Sequence, residues 1–113
     1  MKKINIVRSN IDFNNIINTG KVFKNKYFVI YVSIEKNKTY RFGISVPKKI
    51  GNAVTRNKIK RQIKSILDNN IDAFLPLDYI IIARRMILDI EYSEKTKNLI
   101  DILNKINKEI NNE

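Results

Sequence analysis

Two stretches of the chain alternate with a period of two, and this restricts the fold more than any other feature. Phe28, Ile30, Val32 and Ile34 recur at every second position within residues 22–34, and Tyr40, Phe42, Ile44 and Val46 do so within 40–46. Successive side chains on a strand point to opposite faces, so each set builds one apolar face of a sheet. The two sets are expected to form the core face of a hairpin, with residues 35–38 near its turn. Residues 77–83 form an apolar, β-branched run bounded by Pro76 and by Arg84 and Arg85. A strand buried on both faces reads this way, and its expected place is the sheet centre.

Helical periodicity fills the rest. Ser9 or Asn10 can cap a short helix over about 11–18, with Phe13, Ile16 and Ile17 on one side and Gly20 as the stop. After Gly51, a second helix should run from Asn52 or Ala53 to Asn69, its core stripe made by Ile59, Ile63, Ile66 and Leu67. Ser93 begins a capping pattern for a closing amphipathic helix carrying Leu99, Ile102, Leu103, Ile106 and Ile110. The expected fold is therefore α+β, one domain over residues 1–113. It has three helices and an antiparallel or mixed sheet of about four strands, in the order α-β-β-(β)-α-β-α, the bracketed strand being a break in the long first one. A chain of 113 residues buries roughly 65% of its unfolded surface, enough for one core and too little for two.

Composition removes much chemistry. There is no Cys and no His, so disulfides, thiolate zinc sites, iron–sulfur clusters, cysteine nucleophiles and every histidine-based acid/base or zinc motif are excluded. Carboxylates with a metal, or lysine, are the remaining protein-borne options. A cysteine-free chain suits a reducing cytosol. The N-terminal residues are basic, but polar residues follow where the apolar region of an export signal would stand. No apolar run approaches the ~20 residues that span a bilayer, so no membrane role is expected.

The formal charge is +11, and a surface that repels itself this strongly points to a polyanionic partner. Its distribution sharpens the point. Between Glu35 and Asp68 there is no acidic residue and there are ten basic ones. Such segregation is the footprint of nucleic-acid binding rather than of a solvated face. On the second helix, Arg56, Asn57, Lys60, Arg61 and Lys64 share a stripe beside the core stripe, where they can reach one polyanion together. Lys48 and Lys49 precede the Gly51–Asn52 turn, flanking a helix N-terminus suited to a phosphate.

The strand face opposite the core carries Tyr27, Val29, Tyr31 and Ser33, and across from them Arg41, Gly43 and Ser45. Tyrosines beside an arginine, small residues and a glycine make a shallow aromatic platform, the kind on which single-stranded nucleic acid stacks its bases. A first helix covering part of that face would leave a cleft with Phe13 and Ile17 on one wall and Tyr31 on the other.

Residues 41–64, RFGISVPKKIGNAVTRNKIKRQIK, resemble the signature of the protein component of bacterial ribonuclease P, the ribonucleoprotein that removes the 5′ leader from precursor tRNA. The family stretch K-K-x-G-x-A-V-x-R-N-x-x-K-R is matched by Lys48, Lys49, Gly51, Ala53, Val54, Arg56, Asn57, Lys60 and Arg61. DFNNIINTGK is similar to the family's first helix, YFVIYV to its first long strand and DYIIIARR to its late strand. Where the family has a second phenylalanine in the first helix, this chain has Ile17. The resemblance implies that the active site lies in a catalytic RNA subunit, with Mg2+ held mainly by that RNA, and that the protein supplies no catalytic residue and holds no metal. The implied partners are the ribonuclease P RNA and precursor tRNA, with no DNA. It also implies a leader-binding cleft at Phe13, Ile17, Tyr27, Tyr31, Arg41 and Ser45. An RNA-binding surface would fall at Lys48, Lys49, Asn52, Arg56, Asn57, Lys60, Arg61 and Lys64. Strand–helix–strand units are normally right-handed; the resemblance implies a left-handed crossover around residues 52–69.

Three alternatives share parts of this pattern. A structural ribosomal protein would have the charge and the size but no use for an aromatic cleft. A self-sufficient metal-dependent nuclease would need carboxylates such as Asp78, or Asp89 and Glu91, which alternate onto one face if extended. A helix-turn-helix factor would need a second helix three or four residues from the basic one, and none is expected there.

Overall fold

The computed structural model describes residues 5–33, 37–71 and 74–111. The expected turn at residues 35–38 falls partly outside them, as does Ile34. The elements in chain order are α1 (Asn10–Thr19), β1 (Lys21–Lys24), β2 (Phe28–Val32), β3 (Arg41–Ser45), α2 (Ala53–Asp68), β4 (Asp78–Ala83) and α3 (Tyr92–Asn111). Single 3-10 turns at Lys48–Ile50 and Arg85–Asp89 lead into α2 and α3.

The four strands form one sheet in the order β1-β2-β4-β3. Here the expected hairpin is corrected. β2 does not pair with β3; it pairs antiparallel with β1 and with β4, and β3 pairs parallel with β4. Alternation assigns a strand's faces but not its neighbours. The doubly apolar β4 takes the central place because only there are both of its faces covered. The break in the long first strand is made by Asn25, whose side-chain carbonyl accepts from the backbone N–H groups of Tyr27 and Phe28 at 2.9 and 2.8 Å. That turn folds β2 back on β1. Gly20 permits the other tight junction, since a Cβ there would sit 2.6 Å from the carbonyl oxygens of both Ile16 and Val32.

The main core lies on one face of the sheet. Phe28, Ile30, Val32, Phe42, Tyr79 and Ile81 meet Ile59, Ile63, Ile66 and Leu67 of α2 and Leu99, Ile102, Leu103 and Ile106 of α3, all buried. These are the residues that periodicity selects, and each contributes about 1.5–3 kcal/mol by leaving water. Tyr79 is fully buried; its hydroxyl accepts from the Leu75 N–H at 3.2 Å and donates to Asn107 Oδ1 at 3.1 Å. Burial pushes its pKa up to about 12. The helix α3 begins at Tyr92, with the Lys95 N–H bonded to the Glu91 carbonyl. Ser93 therefore lies inside the first turn and is not the cap. The helix starts earlier than its apolar stripe because Glu91, Tyr92 and Glu94 supply a solvated first turn.

The second face of the sheet carries α1, whose Ile16 packs with Val7 and Ile80. Val7 reaches this position because the N-terminal segment runs along the edge of β3, its N–H donating to the Phe42 carbonyl at 2.9 Å. The stereochemistry of L-residues gives the hand of the β3–α2–β4 crossover. Seen from the α1 side with β3 running upward, Arg41 faces the viewer, and an L-residue so placed directs its own N–H to the right. The Arg41 N–H bonds to the Leu77 carbonyl, so β4 lies to the right. From the opposite face, where α2 packs, β4 lies to the left of β3. The crossover is left-handed, against the general rule.

Candidate nucleic-acid interface

Ser9 caps α1, its hydroxyl accepting from the N–H groups of Ile11 and Asp12. The cap fixes where the helix starts and therefore which residues face the sheet. Phe13 and Ile17 come down half-buried beside Tyr31 and Ile82, around the small buried set of Val7, Ile16 and Ile80. The Phe13 ring lies over Gly43, where a Cβ would stand 2.8 Å from ring carbon Cε2. The glycine thus lets an aromatic ring, rather than another backbone, approach the sheet. Phe13, Ile17 and Tyr31, the expected walls of a cleft, are brought to one cluster. Ser45 lies on the same face at the end of β3, in register with Ile82.

Of the other expected members, Tyr27 is placed elsewhere, and Arg41 keeps the expected face with its guanidinium engaged. Tyr27 precedes β2 and sits in the Asn25 turn, where strand alternation no longer applies, and its ring packs against the main core. Arg41 faces α1, but its charge is already met. Its Nε and Nη2 donate to the two carboxylate oxygens of Asp78 at 2.7 and 2.6 Å, and its Nη1 stands 3.6 Å from Asp12. The Asp78 hydrogen bond, opposed by desolvation, raises the Arg41 pKa. Asn37 donates to the same carboxylate at 2.6 Å. The result is a clasp that ties the first turn of α1 to β3 and β4.

The basic stripe of α2 divides by helical angle. Lys60 and Lys64 line a cleft of about 260 Å³ together with Arg8, Phe13 and Gly43, so Phe13 links the basic stripe to the cluster that holds Ile17 and Tyr31. Asn57 and Arg61 are exposed farther round the helix. Arg56 is half-buried and donates through Nε to the Gly51 carbonyl at 3.1 Å. Asn52 caps α2, its Oδ1 accepting from the Thr55 N–H at 2.9 Å, which occupies one of the donors offered to a phosphate.

Lys48 and Lys49 are exposed on the 3-10 turn before α2. Lys49 rims a second cleft of about 340 Å³, floored by Val29 and Ile82 and edged by Lys24, Arg84 and Arg85. This cleft continues the α1 face of the sheet beyond the helix. Sequence reasoning missed Arg8, Lys24, Arg84 and Arg85; the basic pair directly after the central strand was the available signal, since a strand end opens onto the rim of a sheet.

The carboxylates weighed for a metal-dependent nuclease are not gathered. Asp89 lies in a 3-10 turn and Glu91 in the link to α3, so they do not alternate on an extended segment. Asp78 is committed to Arg41 and Asn37. Among the described residues, no group of three or more His, Cys, Asp or Glu is placed to hold a metal ion, and no helix is long and apolar enough to cross a membrane.

Comparison with known proteins converges on one family. The family model described as Ribonuclease P matches residues 1–107. A ribonuclease P protein component from Mycoplasma capricolum is 43% identical over 108 residues, covering 94% of this chain and 99% of that protein. One from Streptococcus agalactiae is 44% identical over 103 residues, covering 91% and 94%. Among solved structures, the RNase P protein of Staphylococcus aureus matches with a TM-score of 0.83 at 38% identity, covering 92% of this chain and 95% of that one. That of Thermotoga maritima matches with 0.79 at 29%, covering 88% and 94%. The ribosomal and helix-turn-helix alternatives fall away, and the chain belongs to the ribonuclease P family, that of the protein component of a bacterial endoribonuclease.

Proposed function

We propose that this protein is the RNA-binding subunit of a ribonuclease P holoenzyme, holding the 5′ leader of precursor tRNA in the α1 groove while α2 faces the catalytic RNA. The observation that carries the reading is the position of Phe13. Phe13, half-buried with Ile17 and Tyr31 against one cluster on the α1 face, also lines the cleft whose rim carries Lys60 and Lys64. Base stacking on such rings contributes about 1–3 kcal/mol per base and tolerates any sequence, because every base has a π-face. The ammonium rim holds phosphates without reading bases. Tolerance is what a processing enzyme with many different precursor tRNAs requires.

The residues then divide the work. Phe13 and Tyr31 stack, Ile17 closes the wall, and Ser45 offers a hydroxyl at the far end of the groove. Lys60 and Lys64 grip the backbone at the junction of leader and catalytic RNA. Arg61, Asn57, Arg56 and Asn52 extend that contact along α2, and Lys48 and Lys49 extend it over the preceding turn. Leaving the groove, the leader would continue over Val29 and Ile82 between Lys49, Lys24 and the Arg84–Arg85 pair. Bond cleavage is supplied by the RNA subunit with its magnesium ions; the protein orients the substrate and neutralises phosphate repulsion.

The test is cleavage of a precursor tRNA at low magnesium by a bacterial ribonuclease P RNA, with this protein, without it, and with the protein alone. Cleavage only when both are present is expected. Cleavage by the protein alone would place chemistry in its carboxylates, and no stimulation of an RNA that the protein demonstrably binds would overturn the reading.

A further inference from the structure

One cleft among the described residues is larger than the groove proposed for RNA. It measures about 480 Å³ and lies between α2 and the start of α3. On α2 it is lined by residues turned well away from Lys60 and Lys64 but adjoining Asn57 and Arg61, taking about 100° per residue, so it opens beside the exposed edge of the basic stripe rather than into the groove.

Its chemistry is unusual for a structural crevice. Lys95 is only 8% exposed, and its ammonium donates to the neutral Gln62 Oε1 at 2.8 Å. An ammonium has three donors and carries a full charge, and burying it beside a neutral amide leaves that charge without compensation. Lys58 from α2 lines the same cleft and adds a second positive charge. Burial, then the field of Lys58, lowers the Lys95 pKa. Glu91 also lines the cleft, yet among the described residues no carboxylate forms an ion pair with either lysine. The rim is apolar and open to water, with Val54 77% and Leu88 46% exposed.

Two lysines in one cleft, neither ion-paired with Glu91 beside them, floored by a hydrogen-bonding amide and rimmed by exposed aliphatic side chains, complement one ligand class. We propose that this cleft binds a carboxylate carried on an apolar body, the carboxylate meeting Lys95 and Lys58 and the apolar part resting on Val54 and Leu88. The Lys95 ammonium then gains an anionic partner beside the neutral Gln62, and the exposed aliphatic rim is covered.

Octanoate is a direct probe, with octanol supplying the apolar body alone and acetate the charge alone. Binding to the full chain is followed by titration calorimetry and by the methyl resonances of Val54 and Leu88. Saturable octanoate binding at least tenfold tighter than octanol or acetate, with shifts at those methyls, is expected. Lys95→Met should weaken it at least tenfold. Lys58→Met, at an exposed position that leaves the core untouched, should weaken it several-fold, so the result does not depend on the buried variant folding. No saturable octanoate binding, equal affinity in the wild type and Lys58→Met, or shifts confined to the Phe13 and Tyr31 rings would overturn the proposal.

Discussion

At the scale of single residues, Gly43 and Arg41 set how α1 sits on the sheet. A Cβ at Gly43 would meet the Phe13 ring at 2.8 Å and Ile80 Cδ1 at 2.7 Å. Gly43→Ala should therefore push Phe13 outward, cost roughly 1–3 kcal/mol of stability and weaken leader binding; chemical denaturation and precursor affinity measure the two effects. The Arg41 clasp answers to a different logic. Asp78 is 5% exposed, so Arg41→Ala strands a buried carboxylate and should destabilise the fold by on the order of 3 kcal/mol. A loss of leader affinity without loss of stability would instead make Arg41 an RNA contact. From sequence, Arg41 reads as a platform cation because it shares a parity with Gly43 and Ser45. Nothing local reveals that Asp78, 37 positions away, sits in register beside it on the parallel neighbour.

Among the elements, α2 carries the basic stripe on which the proposed RNA contact rests. If about five or six phosphates are neutralised, the log–log salt slope of affinity for the catalytic RNA should be near −4 to −5. Lys60→Ala and Lys64→Ala should each reduce its magnitude by about 1, and a slope insensitive to both would remove the stripe from the interface. The elements themselves were largely legible. Helical spacing marked the buried Ile59, Ile63, Ile66 and Leu67, and alternation marked Phe28, Ile30, Val32 and Phe42. Pairing was not legible, because period two encodes faces and leaves partners open. The buried character of 77–83 nevertheless implied a centre strand with a neighbour on each side, which is what separates β2 from β3. Tyr27 failed for a local reason: a side-chain turn at Asn25 resets the parity just before β2.

For the molecule as a whole, the two faces of the sheet are put to different uses. One face of the sheet builds the core, and the other, half-covered by α1, builds the groove, while the flank of α2 and α3 holds a buried cation. That cation gives the protein a pH signature. The folded-state pKa of Lys95 lies below the ordinary lysine value of 10.5, so between the two the unfolded chain binds more protons and stability should rise as pH climbs through that interval. Lys58, Glu91 and Tyr92 face the same cleft. Denaturation midpoints across alkaline pH check this, with Lys95→Met flattening the rise. The family was readable from residues 41–64, and the gathering of Phe13 and Tyr31 on one face from periodicity; the second cleft around Arg84 and Arg85 was not, since it assembles from three separate segments.

The central claim is that the groove between α1 and the sheet holds the leader. The most direct measurement compares holoenzyme affinity for precursor tRNA and for mature tRNA, with the wild-type protein and with Tyr31→Ala or Phe13→Ala. The account predicts a loss of about 1–3 kcal/mol per substitution on precursor tRNA and almost none on mature tRNA. Equal losses on both substrates would contradict it and leave Phe13 and Tyr31 as packing residues alone.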